Sequence, residues 1–497
     1  MNITLRVIAG LALAALSGPL FMLAFPPFDV WPLVFVAFVP TILAQRRIVP
    51  PRLSGLAYGV GFGAYWLAYY GPMFSGTVWF MEWSWVGVAV VATVMTLGNR
   101  SFHERTNYRW LVLEGAAGWV AIEALRGLMP VIGTGGFVAY TLWSQPWLIQ
   151  PVGIFSIYGL GLVIMLVNYA IGMGVLALID RRGVFATTPV VPLGIARNWL
   201  VGVVVVGVAW SALSLLLLNQ ASVEGSSVRV AAIQPVGSSS AREAKEKLFA
   251  RTREAASQGA RLVVWPEGAL PYDPQTRQPG DFLTLAMETG AYLAVGYGIV
   301  GPPIRNEVVM VSPDGAFLGV YGKDHPVVWL GESSSTRGTY PTYSTPFGTI
   351  GTIICYDLNF TDTSRRIAGN DAQIITAGSN DWAALGSRQY TNLAMRAVEN
   401  RVAIVKADTN FDSAIIDPTG RVVTKFVASG PAQRILVADV PVGKADAPLI
   451  KMGDWMAWVC LALFAAFTIA GPLTARAKQS VKQVRGNTEA PGTAVEA

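Results

Sequence analysis

Apolar residues run in long blocks over the first 220 positions, with little alternation. Seven blocks lie at about 5–25, 30–45, 54–70, 84–99, 108–126, 151–179 and 198–219, and an eighth at about 452–474. Each is near the ~20 residues that carry a helix across a bilayer, so eight membrane helices are expected. The first block runs well past the small-residue stretch Ala12–Ser17 and has only Arg6 ahead of it. It is therefore expected to stay as a helix and not to be cleaved as a leader.

Between 225 and 450 the pattern changes to short apolar runs separated by polar, turn-rich stretches. Val228–Pro235 reads as a strand ending in a turn, and Leu262–Glu267 as a strand running out at Pro266. Further strands are expected at 291–299, 307–312, 316–321, 350–355, 373–376, 402–408 and 413–416. Helices are expected at 241–258, around 280–290, near 361–368 and at 386–400. Pro313-Asp314-Gly315 and Asp417-Pro418-Thr419-Gly420 carry hairpin chemistry. Strands that alternate with helices and also close in hairpins predict a layered α/β domain with mixed sheets. The expected organisation is a seven-helix membrane domain over 1–220, the α/β domain over 221–450, an eighth transmembrane helix over 451–476 and a disordered cytoplasmic tail over 477–497. No internal repeat is visible.

Charge sets the orientation. Only 14% of the 497 residues are charged and 53% are hydrophobic, against about 25% charged in an average soluble domain. Basic residues collect in alternate connections: Arg46, Arg47, Arg52; then Arg100, Arg105, Arg109; then Arg181, Arg182, Arg197; and the tail Arg476, Lys478, Lys482, Arg485. Positive-inside logic places both termini in the cytoplasm and the α/β domain on the extracytoplasmic side of a cell (inner) membrane. The net charge of +6 follows from this topology, and no nucleic-acid motif accompanies it. On the outer side, Phe25–Pro32 reads as a proline-set aromatic corner. The aromatic, glycine-rich stretch 127–150 reads either as a lipid entrance in the headgroup layer or as a cap on the bundle. Glu123 and Arg126, near the end of the fifth block, read either as an ion pair or as ordinary interfacial charges.

The candidate chemistry sits at strand ends. Cys355 follows the Ile/Thr-rich run 349–354, Glu267 follows Val-Val-Trp-Pro, and Lys323 follows Tyr321-Gly322. Singly these read as a packed thiol, a loop carboxylate and a surface lysine. Together a carboxylate is a general base for a thiol, and an ammonium favours the thiolate and stabilises a tetrahedral oxyanion. The backbone N–H of Tyr356 is a natural second oxyanion donor. With two histidines, His103 and His325, and two cysteines in the chain, neither a His-rich metal site nor a structural disulfide is expected, and no cofactor is called for.

Trp265-Pro266-Glu267, Gly322-Lys323 and Ile354-Cys355-Tyr356-Asp357 resemble, in order and setting, the Glu–Lys–Cys triad of the nitrilase (carbon–nitrogen hydrolase) superfamily. Placement of that domain between seven helices and one resembles the apolipoprotein N-acyltransferase family, as do Phe25–Pro32, Ser379-Asn380-Asp381, Arg396–Glu399 and Thr409-Asn410 with Ile416–Gly420. The resemblance implies an αββα sandwich and a ping-pong acyltransferase of lipoprotein maturation. Cys355 would carry a thioester, Glu267 would relay protons and Lys323 would hold the oxyanion. The donor would be a membrane phospholipid and the acceptor the diacylglyceryl-cysteine of a lipoprotein. Glu332 matches the family's second active-site glutamate, although 324–331 departs from the usual sequence. Asp357 replaces the family's glutamate, and Trp382 is either a lipid-facing aromatic or core. The alternative is a membrane-anchored nitrilase-type amidase or hydrolase with water as acceptor.

Overall fold

The computed structural model describes residues 2–75, 79–130, 132–183, 189–221, 226–301, 304–328, 331–334 and 336–470. The basic tail and the end of the eighth block lie outside these residues. Among the described residues, three helices are long and apolar enough to cross a membrane, namely Ile3–Ala24, Val152–Arg181 and Leu193–Ala221, with a shorter apolar helix at Trp455–Ala470. Helices also form at Ser54–Phe74, Ser84–Met95 and Leu111–Gly127. The block at 30–45 departs from expectation. Pro32 starts a 3-10 turn at Trp31–Phe35 and Pro40 opens only the short helix Val39–Leu43, so the block is broken and not one continuous helix. The Leu193–Ala221 helix exposes Val201, Val204, Val205, Val208, Leu215 and Leu216. A helix that is apolar on its outward face suits lipid and not water.

The basic connections gather at one end of these helices, where Arg46, Arg47 and Arg100 are buried and Arg52, Arg109, Arg181, Arg182 and Arg197 are exposed. Arg47 pairs with Asp180 at 2.6 Å, and Arg100 donates to the Val49 carbonyl at 2.9 Å. The stretch 127–150 lies at the opposite end as a packed cap: Phe137, Val138, Ala139 and Tyr140 are fully buried. Glu123 and Arg126 each bind this cap and do not pair with each other among the described residues. Glu123 accepts from the Val138 N–H at 3.1 Å, and Arg126 donates to the Gly135 carbonyl at 3.0 Å. Gly133, at φ +57°, brings the cap against Asn359, whose carbonyl a Cβ would meet at 2.5 Å.

The α/β part contains two sheets. The first orders β13 (Arg434–Pro441), β1 (Ser227–Gln234), β2 (Leu262–Val264), β3 (Tyr292–Ile299), β4 (Ile304–Ser312) and β5 (Ala316–Gly322), with β6 (Glu332–Ser333) beside β4. The second orders β7 (Thr342–Thr345), β8 (Gly348–Ile354), β9 (Ile374–Ser379), β10 (Ala403–Asp408), β11 (Asp412–Ile416) and β12 (Val422–Val427). Both have the same sense across corresponding strands. β1-β2-β3 and β8-β9-β10 are parallel, and the flanking pairs are antiparallel. The sequence shows no repeat, yet the two halves share one topology.

The sheets face each other, with Ala241–Ser257 and Pro279–Thr289 outside the first and Thr361–Gly369 and Ala383–Asn400 outside the second. One apolar cluster packs the first sheet on its helices. A second runs without a break from the space between the sheets, through the Ala383–Asn400 helix, into the membrane helices. Polar contacts pin that junction. Gln150 donates to the Thr419 carbonyl at 2.8 Å, Arg396 to the Tyr140 hydroxyl at 2.8 Å, and the Thr134 N–H to the Asn359 carbonyl at 2.7 Å.

Gly296 on β3 lies under the turn after β2, where an added Cβ would stand 1.9 Å from the Pro266 carbonyl oxygen. Gly296→Ala is expected to push that turn and cost about 1–3 kcal/mol. Thermal unfolding of the detergent-solubilised protein checks this, and an unchanged melting temperature would contradict it.

Candidate active site

The site is assembled from strand ends on both sheets. Trp265 anchors the turn after β2: it is fully buried and its indole N–H donates to the Thr252 hydroxyl at 3.0 Å. Glu267 follows, buried, with its Oε1 accepting from the Asn306 amide of β4 and from the Lys323 ammonium at 2.8 Å. Lys323 leaves the end of β5 and is 1% exposed. Its Nζ is 3.0 Å from Glu332 Oε2, and Glu332 also accepts from the Val327 N–H at 2.7 Å and the Asn306 amide at 3.1 Å.

A buried ammonium is costly unless paired and hydrogen-bonded. Burial alone would pull Lys323 down, but the charges of Glu267, Cys355 and Glu332 outweigh it and hold the group above the usual lysine range. For Glu332, burial pushes upward, and Lys323 with the Val327 and Asn306 donors more than offsets this, so the carboxyl lies below its usual range.

Cys355 opens a 3-10 turn after β8, with φ +42°. A side chain in the left-handed region costs on the order of 1–3 kcal/mol and persists only when its surroundings enforce it. Asp357 supplies that constraint. Its Oδ2 accepts from the Ile354 N–H at 2.9 Å and the Tyr321 hydroxyl at 2.7 Å, and its Oδ1 from the His325 N–H at 2.8 Å. Burial, Glu267 and Asp381 push the Cys355 thiol well above its usual range, against the opposing pull of Lys323 and the Asn380 N–H. The resting sulfur is therefore a neutral thiol, and an attack by it needs a base.

A cavity of about 290 Å³ opens at Cys355. Tyr69, Tyr70, Met73 and Phe74 from the Ser54–Phe74 helix wall one side, and Trp382, Leu385 and Arg388 the other. Most of the lining surface is apolar or aromatic, with Asn359, Arg388, Gln389 and Asn392 as its polar members, so the space suits a hydrocarbon chain better than a polar amide.

Glu267, Lys323, Cys355 and Glu332 thus come together, and Glu332 sits on Lys323 despite the unusual 324–331 stretch. Tyr356 lines the cavity while its hydroxyl donates to the Pro130 carbonyl at 2.9 Å. Trp382 also lines it, half exposed, with its indole N–H donating to the Met73 carbonyl at 3.0 Å. Asp357 is fully buried and spends its oxygens on neighbouring backbone and Tyr321, so it shapes the turn. Sequence reading missed Asn306, which bridges both glutamates, and Arg388 in the cavity wall. Asn306 is one of three consecutive polar residues, Arg305 to Glu307, near the start of β4, and nothing local distinguishes it.

Residues 229–447 match the carbon–nitrogen hydrolase family model, and residues 17–170 match that of the apolipoprotein N-acyltransferase N-terminal domain. The chain is 26% identical over 501 residues to the apolipoprotein N-acyltransferase of Geobacter metallireducens, covering 90% of this chain and 93% of that one. It is 24% identical over 516 residues to the enzyme of that name from Pseudomonas syringae pv. tomato, covering 92% and 96%. The Azotobacter vinelandii protein of the same name aligns over 98% of both chains at 25% identity.

Because Glu332 lies below its unfolded value, it contributes stability at neutral pH that is lost as pH falls through the folded value. Glu332→Gln is expected to cost about 2 kcal/mol at pH 7. The gap to wild type should close as the pH falls below the ordinary value of 4.5. Melting curves of both proteins across that range test this, and a pH-independent gap would contradict it.

Proposed function

We propose that this chain, similar over nine-tenths of its length to apolipoprotein N-acyltransferases, moves a fatty acyl chain from a membrane phospholipid, through a Cys355 thioester, to the N-terminal diacylglyceryl-cysteine of lipoproteins. The observation that carries this reading is the apolar cavity joining the Cys355 sulfur to the aromatic and methionine wall of a helix in the membrane part. A polar amide as donor, with water as acceptor, would find few partners there.

In the first half-reaction Glu267 takes the S–H proton as the sulfur attacks the ester carbonyl. Lys323 faces the developing oxyanion, where a fixed, water-excluded charge is most effective. The tetrahedral intermediate collapses by breaking the ester C–O bond, and Glu267 returns the proton to the departing lysophospholipid oxygen. In the second half the lipoprotein amine attacks the thioester carbonyl and Glu267 takes a proton from nitrogen. The C–S bond then breaks, and the proton passes to sulfur to restore the thiol. One site serving two acyl transfers in turn is ping-pong chemistry. Asn306 and Glu332 hold Glu267 and Lys323 in register and touch neither substrate.

The same reading orients the molecule. Arg46, Arg47 and Arg100 are buried at the end of the helices away from the α/β part, which supports a catalytic domain on the extracytoplasmic side and cytoplasmic termini. Both substrates are lipids, so a catalytic domain resting on the membrane spares each of them a costly transfer into water.

Incubation of the purified protein with phospholipid alone is expected to leave a fatty acyl adduct on the peptide containing Cys355. Neutral hydroxylamine should remove it, and Glu267→Gln should lower its formation at least ~100-fold. A free thiol in the wild type would sink the mechanism. For sidedness, Asp314 lies exposed in the β4–β5 hairpin. Asp314→Cys in intact spheroplasts is expected to react with a membrane-impermeant maleimide, and labelling only after lysis would reverse the orientation.

A further inference from the structure

The Cys355 sulfur has a second carboxylate beside it that the mechanism above does not use. Asp381 Oδ1 is 3.6 Å from Cys355 Sγ, in hydrogen-bonding geometry with the thiol as donor. Asp381 follows β9 in the second sheet as Glu267 follows β2 in the first, and these strands hold corresponding places in the two matching sheet orders. They also meet across the sandwich, where an added Cβ on Gly378 would stand 3.0 Å from the Glu267 backbone nitrogen.

Asp381 is clamped as Glu267 is. Its Oδ2 is 2.8 Å from the Lys406 ammonium on β10. Lys406 is also 3.1 Å from Asp412 Oδ2 and 3.9 Å from Asp408 Oδ2, and all four side chains are sealed from solvent. Asp408 accepts the backbone N–H groups of Asp381, Asn410 and Phe411 at 2.9, 2.8 and 2.7 Å. Among the described residues, one ammonium therefore faces three buried carboxylates, an excess of negative charge that low-dielectric surroundings do not sustain without a shared proton.

We propose that Asp381 is a positioning residue for the nucleophile: clamped by Lys406, it accepts the S–H of Cys355 in the resting enzyme, and the surplus negative charge of the Asp381–Asp408–Asp412 group keeps the sulfur a thiol until substrate fills the cavity. The S–H bond stays intact in this state. Asp381 sets its direction and the cost of breaking it, and Glu267 remains the base that removes the proton when an acyl carbonyl arrives. The inference rests on the reading of Cys355 as nucleophile.

The groups that act on this assembly come from several elements. Glu267 and Lys323 face the sulfur from the first sheet. Lys425 on β12 and Tyr390 on the Ala383–Asn400 helix act on Asp412. Burial pushes Asp412 up to about 7, with Asp381 and Asp408 adding to the rise and Lys406 opposing it. Asp412 thus gains its charge around neutrality and already carries it at the higher pH where the thiol ionises.

The test is the pH profile of iodoacetamide alkylation at Cys355, read by mass spectrometry on its own peptide in the full-length detergent-solubilised protein. Asp381→Asn is expected to lower the alkylation midpoint by about one pH unit or more. Asp412→Asn, which leaves the contact to sulfur in place, is expected to move it the same way by a smaller amount. Midpoints that coincide with wild type, or move upward, overturn the proposal. If Asp381→Asn fails to fold, Asp412→Asn decides alone. A purely structural role would lower the melting temperature and leave the midpoint where it is. Thioester formation by the wild type is read separately. A shifted midpoint without a thioester would defeat the acyltransfer mechanism and leave this inference standing, and the converse result would do the reverse.

Discussion

A lysine ammonium out of reach of water must be surrounded by negative charge, and the geometry of the catalytic centre follows from meeting that demand at Lys323. Its two carboxylates come from different places, Glu267 from the turn after β2 and Glu332 from β6. Asn306 on β4 ties them together with one amide. The cost of leaving any of these unpaired is several kcal/mol, so the sheet register and the loop after β5 are constrained together. Glu267, the proposed general base, is held by the same lysine that is proposed to receive the oxyanion.

The second sheet repeats this solution around Lys406, with Asp381, Asp408 and Asp412 as its partners. The sulfur lies between the two lysine-centred groups. Their charges explain why the thiol rests neutral: burial, Glu267 and Asp381 together outweigh Lys323. A neutral thiol is a poor nucleophile, and it also resists adventitious alkylation and oxidation, which go through the thiolate. In the proposed mechanism, chemistry then waits on a carbonyl that brings Glu267 into use.

Attachment of this centre to the helices rests on apolar continuity. The cluster between the sheets extends through the Ala383–Asn400 helix into the aromatic interior of the helical part. The cap at 127–150 closes the junction with backbone and side-chain hydrogen bonds. The cavity at Cys355 forms at this seam. Its walls come from both parts, so the hydrocarbon-lined space exists only when they are docked.

Much of this was readable in the chain. Hydrophobic period, proline and glycine turns and strand-terminal polar residues are local signals, and they located β1, β3, β5, β8 and both hairpins within a few residues. Glu267, Lys323 and Cys355 were legible as candidates because strand ends expose side chains in a stereotyped way. The broken block at 30–45 had its signal in Pro32 and Pro40, and the length of the apolar run masked it. Other features had no local signal. β13 pairs with β1 across the whole domain, and the shared topology of the two sheets lies in strand order, not in residue identity. That Glu332 reaches Lys323, that Asp357 turns into the backbone, and that Asp381 meets the sulfur depend on neighbours far away in sequence. The amino-acid sequence by itself determined the elements, the turns and the chemical types available at their ends, because those depend on short-range sterics and solvation. Only the tertiary structure decided which charges are buried together and what faces the thiol, because burial and Coulomb interaction depend on distances that long-range packing sets.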